Sequence, residues 1–72
     1  RGVIDLVRAT FRSWVDLLSE QLVAVGVPGR RASRVAVAVV AGMEGALILC
    51  RAEGDSGPLE TVAAELKRLL PT

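Results

Sequence analysis

The chain has 72 residues, of which 51% are hydrophobic and only 3% aromatic, and nine basic against eight acidic side chains leave a net charge of +1. That balance excludes a polyelectrolyte surface for nucleic acid. The absence of histidine, with Cys50 the single cysteine, excludes a His-dependent triad and an internal disulfide and leaves too few ligands for a Cys/His zinc site.

The first predicted element runs from about Val3 to Val25. Ile4, Val7, Phe11, Trp14, Leu18 and Leu22 recur at three- and four-residue steps, which is a helical stripe and not a strand alternation. Gly26 is the expected left-handed stop, and Pro28 follows it as a breaker. The second element runs from about Arg30 to Glu53, with Gly54 as its stop. Between Val35 and Cys50 it carries one charge, Glu44. A sixteen-residue apolar window of roughly 24 Å is short for a hydrocarbon core of about 30 Å. The segment therefore reads as a core helix apolar on nearly all sides, and no membrane partner is expected. The third element runs from about Pro58 to Leu70, after a turn at Asp55, Ser56 and Gly57. Pro58 suits a first helical position, Glu60 and Lys67 suit the helix dipole, and Pro71 ends the element. Leu59, Val62, Ala63, Leu66, Leu69 and Leu70 form its apolar stripe.

The connections are short, so consecutive helices are expected to run antiparallel. The fold class is all-α: two long antiparallel helices plus one shorter helix. Stepping 100° per residue along the second helix places Ala38, Ala41, Gly42, Gly45 and Ala46 on one mostly small face. Val37, Val39, Val40, Met43, Glu44, Leu47 and Ile48 lie on the bulkier opposite side. Each glycine in a helix interior costs about 1 kcal/mol relative to alanine, so two on one face predict a close helix crossing. Two other helices cannot surround a helix that is apolar all round. Self-association, further upstream helices, or both are expected to complete the packing.

Glu44 is the residue that breaks the local rules. A carboxylate inside an apolar helix must be paired, hydrogen-bonded or protonated. It is read either as a hydrogen-bonded or rim group between helices or as a ligand-facing polar group. Trp14 and Met43 are core residues by default, with a ligand wall as the alternative, and Cys50 reads as a small buried apolar residue. Arg30, Arg31 and Arg34 cluster at a helix N-terminus, either as a solvated face or toward an anionic partner. No catalytic constellation, cofactor motif or metal-ligand cluster is evident. The lone cysteine and the lack of a signal peptide fit a cytoplasmic protein.

Taken together, Phe11-x-x-Trp14, then Leu18, Leu22 and Gly26, then Met43-Glu44-Gly45-Ala46-Leu47-Ile48-Leu49-Cys50-Arg51-Ala52-Glu53, and Pro58-Leu59-Glu60-x-Val62-Ala63-x-x-Leu66 form a distinctive order. The chain resembles the C-terminal regulatory half of TetR/AcrR-family transcriptional regulators of the LmrA/YxaF-like subgroup. The resemblance implies a homodimer, with the second and third helices joining those of a partner in a four-helix bundle. It also implies a small apolar effector in a pocket and operator DNA bound through an N-terminal helix-turn-helix domain. Nothing in residues 1–72 resembles that domain, so the whole stretch is expected to be a regulatory and dimerisation fragment. The expected pocket residues are Phe11, Trp14, Met43, Glu44 and Leu47. The expected dimer interface comprises Ala38, Ala41, Gly42, Gly45, Ala46, Leu49, Leu59, Val62 and Leu66. The competing reading is a free-standing dimeric helical protein–protein interaction module.

Overall fold

In the computed structural model, which describes residues 2–71, helix α1 spans Gly2–Ala24. It ends where the sequence places its stop. Gly26 takes φ +107°, Val27 N–H donates to the Leu22 carbonyl at 3.0 Å, and Gly26 N–H donates to Val23 at 3.0 Å. These two bonds form a Schellman motif, which normally brings the residue after the glycine against the last helical turn. Here Leu22 and Val27 are both buried in one cluster with Ala32, Val35 and Ala36, flanked by Val15, Leu18 and Val39. The helix stop and the core are thus built from the same residues.

Helix α2 spans Gly29–Glu53 and closes on Gly54, whose φ of 77° is left-handed and whose N–H donates to the Cys50 carbonyl at 2.8 Å. By length and composition alone it is long and apolar enough to cross a membrane. In this chain it is the central helix, packed against α1 and against α3, while α1 and α3 do not meet. Helix α3 spans Gly57–Lys67. Asp55 accepts the Gly57 N–H at 2.7 Å, and the Ser56 hydroxyl donates to Glu60 Oε2 at 2.6 Å. Together they order the turn that feeds Pro58 into the first helical turn.

The end of α3 differs from the expectation of Leu70. After Lys67 the chain tightens: Leu69 and Leu70 donate to Leu66 and Lys67, three residues back, at 3.0 and 3.1 Å. A residue before proline is pushed out of the α region, so Pro71 acts on the turn preceding it and not only on its own position. Leu69 and Leu70 consequently leave the helical stripe and are exposed.

The three helices form one layer. The molecule measures 37 × 37 × 12 Å, so its thickness is one helix diameter. Its radius of gyration is 13.6 Å, against about 11 Å for a compact domain of this length. Its accessible surface is 5471 Å², about 1,200 Å² more than the roughly 4,300 Å² of a compact monomer of this mass. The buried hydrophobic residues are Leu22, Val27, Ala32, Val35, Ala36 and Ala46, four of them alanine or valine on α2. Domains are built from two or more packed layers, and this chain supplies one.

Candidate functional site

Along α2, Val37, Val40, Ala41 and Glu44 are spaced i, i+3, i+4 and i+7, so they lie on one side of the helix. On α1, Phe11 and Val15 are one turn apart. The two stripes face each other across an open groove of about 300 Å³ lined by these six residues. Glu44 is its only titratable lining group. The carboxylate is half-buried, and among the described residues it has no ion-pair partner or side-chain hydrogen bond within the chain. The groove continues into a smaller depression of about 190 Å³, where Phe11, Val15 and Val37 are shared and Arg8 and Arg12 join the wall. One apolar floor therefore has a carboxylate on one side and two guanidinium groups on the other.

The structure brings together two of the five residues expected at a pocket, Phe11 and Glu44. Trp14 stands beside them without lining the groove. Its ring meets Phe11 edge-on, with centroids 5.0 Å apart and planes at 85°, and the side chain is 46% exposed. Such an edge-to-face pair contributes about 0.5–1.5 kcal/mol beyond burial and holds the Phe11 ring in place. Met43 and Leu47 lie elsewhere on α2: Met43 is about 100° around the helix from Glu44, and Leu47 is exposed. Val15, Val37 and Val40, which the sequence reading did not place at the pocket, complete the floor; the i, i+3, i+4, i+7 spacing ending at Glu44 is the signal that could have found the last two.

The small face of α2 is divided by α3. A Cβ placed on Gly42 would lie 3.3 Å from Val62 Cγ1 and 3.4 Å from Leu66 Cδ1. Ala46, one turn on, is 1% exposed. The close helix crossing that the glycines predicted is thus made at Gly42 within the chain, where Val62 and Leu66 pack and stay half-buried. Ala38, Ala41 and Gly45 lie further round the helix and are exposed, with nothing within 4 Å of a Cβ at Gly45. Leu49 is exposed beside them, and Leu59 is half-buried on α3. At the other end of α2, Arg30, Arg31 and Arg34 line a shallow depression with Pro28, and the helix start has no side-chain cap. Among the described residues no group of metal-ligating side chains is assembled.

These features define an all-helical, one-layer unit with an apolar groove on one side of its central helix and an uncovered face on another. Residues 3–65 match the family described as the C-terminal domain of LmrA/YxaF-like transcriptional regulators, and the chain belongs to that TetR-type family. Two relatives from two strains of Mycobacterium tuberculosis, both described as HTH-type transcriptional regulators, are each 38% identical over 68 residues. Those matches cover 94% of this chain and 35% of each relative, so the chain spans about a third of the length of the curated relatives it matches. No solved structure matches it significantly. The family is one of transcriptional regulators.

Proposed function

We propose that this chain is the effector-binding and dimerisation part of a cytoplasmic TetR-like repressor that releases operator DNA when a small molecule binds. The family match over residues 3–65 carries this reading. The uncovered single layer supports the dimer, because its excess surface of about 1,200 Å² over a compact monomer exceeds the roughly 800 Å² per partner of a standard interface. The groove between α1 and α2 supports the effector site. It is concave and apolar, with one convergent polar group, as small-molecule sites are. DNA contact belongs to a helix-turn-helix domain outside residues 1–72. Release is a population shift: the effector binds more tightly to the arrangement that DNA does not accept.

Trp14, the single tryptophan, reports on the groove through Phe11. Titration of the chain with small apolar amines and phenols, followed by Trp14 emission, is expected to give saturable binding. Glu44→Gln keeps the shape and removes the charge, so a compound that donates to the carboxylate is expected to bind about tenfold more weakly. Binding that survives both Glu44→Gln and Phe11→Ala unchanged would put the effector elsewhere and refute the groove as its site.

A further inference from the structure

The wall that α1 gives the groove has the same period as the wall that α2 gives it. Arg8, Phe11, Arg12 and Val15 are spaced i, i+3, i+4 and i+7, so two guanidinium groups share a side of α1 with the apolar residues that face the Val37–Glu44 stripe. Both arginines are exposed. Acids stand at pairing distance along the same helix, with Asp5 three residues before Arg8 and Asp16 four residues after Arg12. Among the described residues the one ion pair joins Arg68 to Glu65, so both arginines leave those neighbours unused. Glu44 across the groove is unpaired as well. The connected space thus holds opposite charges that do not meet, with Phe11, Val15 and Val37 as the shared floor between them.

We propose that the groove takes an amphoteric aromatic molecule: a flat apolar frame with a cationic N–H head for Glu44 and an oxyanion head for Arg8 and Arg12. The inference rests on the effector reading above and adds the second head. An ionised carboxylate only accepts hydrogen bonds, so Glu44 calls for a donor. Guanidinium groups only donate, and two of them one helical turn apart present forked donors to a planar oxyanion. Packed helices lie about 8–10 Å apart between axes, so heads held by opposite walls are separated by a ring system. An α-amino acid carries both charges on one carbon and does not span them. Phe11, held edge-on by Trp14 at 5.0 Å, gives the frame a fixed aromatic surface. A purely apolar ligand would strip water from charges on both walls and return nothing. A ligand with a cationic head alone satisfies Glu44 and leaves the arginine wall unanswered.

The test is isothermal titration calorimetry of the 72-residue chain with three compounds. They are an aminomethyl-naphthoic acid with its heads at opposite ends of the ring system, its methyl ester, and the matching methyl-naphthoic acid, which lacks the amine. The two-headed acid is expected to bind tightest. The ester is expected to bind about three- to tenfold more weakly, because the arginines are exposed and partly screened. The compound without the amine is expected to bind about tenfold more weakly. Arg8→Gln with Arg12→Gln is expected to remove the advantage of acid over ester and to leave the ester's own affinity unchanged. Glu44→Gln is expected to remove the advantage of the amine and to keep that of the acid. Acid and ester of equal affinity on the wild-type chain overturn the two-headed class, and this comparison needs no variant to fold. An arginine variant that is folded by far-UV circular dichroism and keeps the acid's advantage overturns the assignment of the oxyanion to Arg8 and Arg12. If simple apolar amines bind and none of the naphthalene series does, the class fails and the groove stands as the effector site. If neither set binds, the effector reading itself fails.

Discussion

Replacing Gly42 with alanine sets two effects of similar size against each other. Alanine is favoured over glycine inside a helix by about 0.8–1.0 kcal/mol. Its new methyl would sit 3.3 Å from Val62 Cγ1 and 3.4 Å from Leu66 Cδ1, closer than ordinary carbon contacts of about 3.5–4.0 Å. Leu66 is flexible enough to turn aside. Val62 is β-branched and held to one dominant helical rotamer, so relief there requires α3 itself to shift. The gain is therefore expected to be cancelled or reversed, leaving Gly42→Ala at or below wild-type stability. Gly42→Leu, which adds three further carbons beyond that already tight Cβ, is expected to lose about 1–3 kcal/mol by overpacking. Urea unfolding at fixed protomer concentration measures both, since association shifts apparent stability. A double-mutant cycle with Val62→Ala isolates the contact: in that background Gly42→Ala is expected to recover its helical gain, with a coupling of about 0.5–1 kcal/mol. A full gain of about 1 kcal/mol from Gly42→Ala alone, with an additive cycle, would refute the packing of α3 on this glycine.

Gly26→Ala forces a side chain onto φ +107°, and unfolding by urea is expected to show a loss of about 1–2 kcal/mol with fraying at the end of α1. Leu22→Ala removes the largest member of the buried cluster, which is 5% exposed, and is expected to cost at least about 2 kcal/mol. Leu17→Ala, at an exposed position of the same helix, is expected to stay within about 0.5 kcal/mol of wild type by the same assay.

The three helices and most of their ends were legible because each stop is local. A left-handed glycine at Gly26 and Gly54, and a proline inside the first turn at Pro58, act on neighbouring backbone and need no tertiary partner. The exception, the early tightening of α3 before Pro71, is also local, but its reach extends to the turn before the proline. All-round apolarity of α2 likewise announced that the chain cannot complete its own packing. Wheel angles, by contrast, give only which residues share a side. They assign Gly42 and Gly45 to one face and cannot say that α3 divides it, because the line followed by α3 depends on the Asp55–Gly57 turn and on where Val62 and Leu66 find room. The groove follows the same logic. The stripe ending at Glu44 is written in the sequence, but Phe11 and Val15 become its opposite wall only through the angle at which α1 leaves the Leu22–Val27 cluster. That angle also sets Met43 and Leu47 aside. Period and punctuation are properties of one helix at a time, whereas faces and grooves belong to pairs of helices, and only the packed chain decides those.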